Sequence, residues 1–539
     1  MTLAESSAPS PFPGPRSPFP VPRSPFPVPR SPFPLAASPS PPDHFRTDDL
    51  LQGVAGRAIR GGAFTIGSQA AQFVLGLGST MVMARLLTPR DYGLIGMVTV
   101  ITGFLTVFRD IGLSRATVQR PHLTHEEASN LFWINTGVGV VIMLATMALA
   151  PVIASFYGEP ALMAITVVLA TGFFVTGASV QHRALLRRRM RFGVLSLSGV
   201  ASVVVAIAVG IGMAWYHFSY WAIVGYQLAY TTTGALLSFV FCRWRPSRFT
   251  TFGSVRDMLA FGGNVTGFTT LDYFARNTDD LLIGRVWGTQ QLGFYAKAYQ
   301  LLLFPLMQIN LPVSGVAVPT LSRLIDEPAR YRAAFLRILE KIILVTMPLV
   351  AFLYVTSDWV MDVVLGPQWG GAARIFRWLA IAAFVQPVGY TTGWLFTSQN
   401  RTRSMLRWGV VSSTIAVVSI AAGLPWGAAG VAASYALAST FITTPLSLMV
   451  VGREGPVRAT DFYRVIFPFA GAGLFAGAAA YAYRILAAPE RPLEGLIVSF
   501  VIASAAALAA LLATRVGRAA LLDMVHSVAH LLPPRTVAD

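Results

Sequence analysis

From Gly61 onward, the chain alternates long apolar runs with short clusters of charge, proline or glycine. The runs are roughly 18 to 26 residues long, and a helix needs about 20 residues to cross the hydrocarbon core of a bilayer. Strands would be shorter and would alternate in polarity. The pattern therefore predicts an all-α membrane protein of about fourteen spans. They fall near 62–87, 92–117, 130–155, 161–182, 193–216, 219–242 and 259–286, then 292–316, 335–357, 373–397, 405–425, 429–451, 463–487 and 493–513.

Alternate connections differ sharply in charge. One set holds Arg115 and Arg120, the run HRALLRRRMRF from His182 with Arg183, Arg187, Arg188, Arg189 and Arg191, and the segment CRWRPSR from Cys242. Arg323, Arg330, Arg332, Arg337, Arg401, Arg403, Arg407, Arg453, Arg458 and Arg464 continue that set. The other set is nearly bare: SFYGEP, YHFSY, WGTQQ and PWGAA contain no Lys or Arg, and only Arg90, Arg374, Arg377 and Arg491 fall there. Loops rich in Lys and Arg stay in the cytoplasm. Both termini are thus expected there, as an even span count requires.

Composition agrees with this reading and narrows it. The chain has 539 residues, of which 54% are hydrophobic and 12% charged, about half the charged fraction of a soluble domain. The net charge of +17 is concentrated in one set of loops. That makes it a topology signal beside anionic lipid rather than a nucleic-acid footprint. The single cysteine, Cys242, excludes an intrachain disulfide and reads as a small buried residue. The seven histidines show no metal-ligand spacing, so no metal or other cofactor is expected.

Two repeats stand out. From Ser10, the heptads SPFPGPR, SPFPVPR, SPFPVPR and SPFPLAA predict a disordered, proline-rich cytoplasmic tail over 1–56. The second repeat is structural. At a constant offset of 200, Gly62 aligns with Gly262, Gly67 with Gly267, Phe73 with Tyr273, Arg85 with Arg285, Gly93 with Gly293 and Ser114 with Ser314. Six predicted spans separate the copies, so both enter the membrane in the same direction. Such a parallel repeat is typical of transporters built from two lobes. The expected units are 57–242 and 257–451, followed by an added helix pair at 460–515 and a tail at 516–539.

The most polar span contains TTLDYFARNTDDLLIGRVWG from Thr269. On a helix, Thr269, Asp272, Tyr273, Arg276, Asn277, Asp279 and Asp280 fall within an arc of about 160°. Each charge facing lipid would cost roughly 2.5–3.5 kcal/mol, so this face is expected to meet protein or water. Arg276 stands four residues from both Asp272 and Asp280 and can pair with either. A structural ion-pair network and a hydrated substrate or ion site both fit. Arg85 and Arg285, at helix ends, either snorkel to the interface or line the same cavity. Arg109 and Asp110 are read as a local pair near the inner interface.

An ATP-driven pump would need a GxxxxGK[ST] loop, which is absent; the two lysines are Lys297 and Lys341. No connection is long enough for a soluble catalytic domain, which counts against a membrane glycosyltransferase. The strings ARLLTPRDYGLIGMVTVITGFLTVFRDIGLSRATVQR, LTHEEASNLFWIN and YFARNTDDLLIGRVWGTQQLGFYAKAYQLLLFP resemble the Wzx-type polysaccharide flippases of the multidrug/oligosaccharidyl-lipid/polysaccharide (MOP) superfamily. The resemblance runs from about Gly61 to about Met449.

The resemblance implies two pseudo-symmetric six-helix lobes, often with two more helices, in a bacterial inner membrane. It also implies outward flipping of a polyprenyl-diphosphate-linked oligosaccharide, with no catalysis, and a polysaccharide polymerase and export machinery as partners. The family pattern points to Arg85, Asp91, Asp272, Arg276, Asn277 and Asp279. Arg276, with Arg85 or Arg285, is the expected diphosphate site beside Asn277 and Tyr273. Asp272, Asp279 and Asp280 are expected to hold the arginine or a coupling cation. The alternatives are a cation-coupled drug or metabolite antiporter of the same fold and a peptidoglycan-precursor flippase.

Overall fold

The computed structural model describes the backbone of residues 54–109, 117, 118, 120, 123–250 and 256–529, and their side chains except at 54–60, 63, 107–109, 256–272, 274, 275, 311 and 527–529. The proline-rich repeats, Asp110 and Arg115 lie outside the described residues, as do the side chains of Arg109 and Asp272. No strand occurs among the described residues. Eight of the described helices are long and apolar enough to cross a membrane, or nine if one bent pair counts as a single span.

The first six helices are α1 (Val54–Leu86), α2 (Pro89–Arg109), α3 (His125–Tyr157), α4 (Ala161–Arg188), α5 (Phe192–Trp215) and α6 (Trp221–Cys242). Helices α1, α3, α4, α5 and α6 pack chiefly on one another, α3 on α4, α5 on α6 and α1 on α5. Two resemblance-bearing strings turn out to be helix starts. In LLTPRDYG, Thr88 caps α2: the Asp91 carboxylate accepts from the Thr88 amide at 2.8 Å and from its hydroxyl at 2.7 Å, and also accepts from Ser219. In LTHEEASN, Thr124 and Glu127 form a capping box at the start of α3.

Helix α7 (Arg256–Arg323) is one run of helical residues broken at Gly288, where φ is 78°. Tyr295 Oη nevertheless donates to Asp279 Oδ2 at 2.6 Å, across 16 residues of sequence. A straight helix would separate those residues by about 24 Å. The chain therefore doubles back at Gly288, where a left-handed φ favours glycine. The result is a hairpin with an incoming limb ending at Trp287 and an outgoing limb starting at Thr289.

The remaining helices are α8 (Pro328–Val355), α9 (Ser357–Val364), α10 (Gly370–Ser398), α11 (Thr402–Gly423), α12 (Gly427–Ala438) and α13 (Thr444–Arg453). A π-helical turn, Ser439–Thr443, links α12 to α13. Helices α10, α11 and α12 pack against α7, forming a second bundle.

The last helices are α14 (Ala459–Ala487), α15 (Pro492–Ala513) and α16 (Arg515–Ala529). In α15 the buried residues include Ser499, Ala503 and Ala507, whereas Ile497, Phe500, Val501, Leu508 and Leu512 are exposed. Small residues inside and large apolar ones outside suit lipid as the solvent, where close helix approach replaces hydrophobic burial as the driving force. Helix α14 is fastened at both ends. Arg332 at the start of α8 donates to Asp461 at 2.7 and 2.5 Å, and Arg484 donates to Asp358 in α9 through two bonds of 2.6 Å.

Burial raises the Asp358 carboxyl's pKa, but hydrogen bonds and charge from Arg484 outweigh it, leaving the group below its ordinary value. A depressed carboxyl keeps its tie at neutral pH and loses it only as pH falls through the depressed value. Asp358→Asn is therefore expected to cost about 1 kcal/mol. Its melting temperature should fall below wild type at pH 7, and the difference should shrink in strong acid.

Candidate functional site

Loop charge distinguishes the two ends of the helix bundle. At the end with few basic loop residues, the two bundles are locked together. Trp369 Nε1 donates to the Ala84 carbonyl at 2.9 Å, and Gln368 Nε2 donates to Ala84 O at 2.6 Å and Leu87 O at 3.1 Å. Arg85 adds a bond to Val363 O at 2.7 Å. These donors satisfy carbonyls left over at helix C-termini.

Beneath this seam, α2 crosses the outgoing limb of α7 with backbone in contact. A Cβ on Gly93 would lie 1.7 Å from Thr289 O, and one on Gly293 would lie 1.9 Å from Pro89 O. The four positions form two pairs, 89 with 289 and 93 with 293, related by the offset of 200. Each glycine meets the partner of the other, as two copies must across a two-fold axis. The internal repeat is thus expressed as a pseudo-symmetric crossing that closes this end.

Directly under the crossing is a cavity of about 430 Å³. Its walls include Ser79 and Thr80 of α1, Tyr92 and Thr99 of α2, Tyr226 and Gln227 of α6, Asn277 and Asp280 of the incoming limb, and Lys297 and Gln300 of the outgoing limb. The Lys297 ammonium lies 4.1 Å from the centre of the Tyr92 ring and donates to Gln300 Oε1 at 3.0 Å. Among the described residues it forms no ion pair. A cation held by a ring face and an amide remains available to an anion.

The polar arc of α7 does not face one way. Asn277 and Asp280 line this cavity, and Tyr273 donates to the Val100 carbonyl of α2 at 2.8 Å. Asp279 turns to the outgoing limb and accepts from Tyr295, which stacks on Tyr299. Exposed Arg276 lies within electrostatic reach of Tyr299, Tyr390 and Tyr435 on the second-bundle side. Asp280 makes no ion pair with Arg276, although four residues separate them.

Arg85 and Arg285 are both exposed and stand at the closed end. Arg85 bonds Val363, and Arg285 lies over Phe156 at 5.7 Å. In the sequence Lys297 stands out only as one of two lysines, with no role assigned to it. The available signal was its place within an apolar run, aligned by the offset of 200 with Met97.

A polar, cation-bearing cavity lies between two pseudo-symmetric helix bundles, sealed at one end, in a multi-pass membrane protein. The fold matches the lipid II flippase MurJ in an inward closed conformation with a TM-score of 0.68 at 13% identity, covering 83% of this chain and 97% of that one. It also matches an inward-facing multidrug resistance MATE family transporter of the MOP superfamily at 0.54 and 14% identity, covering 71% and 95%. A family model described as polysaccharide biosynthesis protein matches residues 82–374. The lipopolysaccharide biosynthesis protein WzxC of Escherichia coli (strain K12) is 26% identical over 398 residues, covering 73% of this chain and 80% of that protein. The chain belongs to the polysaccharide biosynthesis protein family.

Proposed function

We propose that the protein flips a polyprenyl-diphosphate-linked oligosaccharide from the cytoplasmic to the outer leaflet of a bacterial inner membrane, with both termini in the cytoplasm. The observation that carries this reading is Lys297 in a polar cavity between the bundles. A diphosphate cannot cross hydrocarbon unaided, but a cavity with a cation and many hydrogen-bonding groups replaces its water. A volume of about 430 Å³ lies within the roughly 300–1,000 Å³ of ligand pockets. It suits the diphosphate and first sugar, with the prenyl tail left in lipid.

Lys297 takes the diphosphate, while Asn277, Gln227 and Gln300 bond sugar hydroxyls. Arg276 guides the anion from the second-bundle side, and Asp280 opposes its return. Arg85 and Arg285 belong to the outer closure, and Asp279 ties the two limbs of α7. The lobes 57–242 and 257–451 rock about the glycine crossing. An inside-negative potential favours outward anion movement by about 2.3 kcal/mol per charge per 100 mV. A polymerase at the outer face would consume the product.

The test is a strain lacking the gene. Lipid-linked oligosaccharide should build up on the cytoplasmic leaflet while surface polysaccharide is lost. Normal surface glycan without lipid build-up, in a strain holding no second flippase, would overturn the reading. The antiporter alternative would gain support from drug accumulation in that strain; the lysine between the bundles argues against a cationic cargo.

A further inference from the structure

A second cavity, of about 620 Å³, lies within the first bundle at its basic end. It is walled by the starts of α1 and α5 and the ends of α4 and α6, and two arginines, Arg183 and Arg187, line it without any Asp or Glu. The positive-inside pattern accounts for basic residues at this end, but not for their direction. Within the same run, Arg188 is buried and bonds the Thr117 carbonyl at 3.0 Å and the Arg120 carbonyl at 2.5 Å. Arg191 bonds the Phe241 carbonyl at 3.1 Å. Arg188 thus braces the segment before α3, and Arg191 the last turn of α6. Arg183 and Arg187, one turn apart on α4, line the cavity instead, with Arg183 steadied by Ser179 Oγ at 2.8 Å.

The other walls are rich in hydroxyls whose protons are already committed. Thr65 donates to Gly61 O at 2.8 Å, Ser202 to Ser198 O at 2.7 Å, Thr231 to Gln227 O at 2.9 Å and Ser238 to Gly234 O at 2.6 Å. Their oxygens therefore remain as acceptors, which suit the hydroxyls of a sugar and not a phosphate. The two arginines supply the donors a phosphate needs. One ligand class answers both halves, a diphosphate bonded to a sugar.

This cavity also continues into the central one. Thr65, Ser68, Gln69 and Gln72 line the inner cavity, and Gly76, Ser79, Thr80 and Met83 line the central one. All eight follow the 3- and 4-residue spacing of one helix face. On α6, Tyr230, Thr231 and Ser238 give way to Tyr226 and Gln227 in the same manner. From Thr65 to Met83 the α1 face rises about 27 Å, close to the roughly 30 Å of hydrocarbon.

We propose that Arg183 and Arg187 form a capture site for the diphosphate–sugar headgroup, which then moves along the α1–α6 track to Lys297. This rests on the flippase reading above. Topology places the basic end on the side where the substrate is made, so the headgroup meets these arginines before the central lysine.

The test is calorimetric binding to full-length protein in nanodiscs of zwitterionic lipid. The probes are inorganic pyrophosphate and a ten-carbon prenyl diphosphate carrying one hexose. Arg187→Gln is expected to weaken both by at least tenfold, because that exposed side chain has no partner among the described residues. Gln69→Ala should weaken only the hexose-bearing probe, and Arg189→Gln should change neither. Wild-type affinity in Arg187→Gln, or an equal loss in Arg189→Gln, would overturn the site. Pyrophosphate binding as tightly as the hexose-bearing probe would overturn its sugar half and leave a site for free diphosphate. The two readings fail separately. Loss of binding in Arg187→Gln alongside a null strain with no lipid build-up would retain the site and sink the flippase. A strain that accumulates lipid while Arg187→Gln binds normally would sink the site alone.

Discussion

Gly293→Ala is expected to abolish polysaccharide export while leaving the protein inserted and folded. A methyl group there would sit 1.9 Å from the Pro89 carbonyl oxygen, and a methyl on Gly93 would sit 1.7 Å from that of Thr289. Both neighbours are backbone, which cannot swing aside as a side chain can. Relief requires the α2–α7 crossing to part, and overpacking of this kind costs about 1–3 kcal/mol, occasionally more. At about 3 kcal/mol the closed state loses a factor of about 150 in population. Either glycine should behave alike, since each contact repeats the other across the pseudo-two-fold axis.

The outcome can be read directly. In a Cys242→Ala background, a Thr80→Cys probe lies in the cavity beneath the crossing. A membrane-impermeant maleimide added outside should label it rapidly in Gly293→Ala and slowly in the parent. Equal labelling with normal export would remove the crossing from the gate.

Lys297→Gln is expected to lower transport by roughly 30- to 150-fold, the worth of one charge-assisted hydrogen bond of about 2–3 kcal/mol. A structural role predicts the opposite pattern of stability. An ammonium within the membrane costs about 2.5–3.5 kcal/mol on insertion scales, so its removal should leave the melting temperature unchanged or raise it. Lys297→Arg should recover part of the transport, since it keeps the charge. A fall in transport that merely tracks a fall in stability would assign Lys297 to packing.

Much of the architecture was legible because a bilayer imposes a simple rule. Apolar run length sets helix length, so ends expected near 161, 193 and 373 lie close to the starts of α4 at Ala161, α5 at Phe192 and α10 at Gly370. The turn near WGTQQ was expected between spans, and the hairpin reverses there at Gly288. The repeat was visible through Gly93 and Gly293, although its meaning as a reciprocal contact was not.

The site was less legible. A helical wheel placed Arg276, Asn277, Asp279 and Asp280 on one arc, but it cannot say how many neighbours share that arc. Here α1 and α2 lie along one edge, and the outgoing limb and the second-bundle tyrosines lie along the other. Lys297 lies beyond the most polar span, in a run with few other charges.

The sequence by itself determined that the chain crosses a membrane, where its basic loops lie, that its two halves repeat, and which family it resembles. Each of these is local or periodic along the chain, so each survives without knowledge of contacts. Only the tertiary structure decided that Gly93 and Gly293 close one end, that Lys297 and Asp280 share a cavity, and that Arg183 and Arg187 turn inward while Arg188 braces a loop. Those facts depend on which helix faces meet across up to about 200 residues of chain. Lipid gives apolar faces no preferred partner, so that choice rests on close small-residue packing and a few polar bonds.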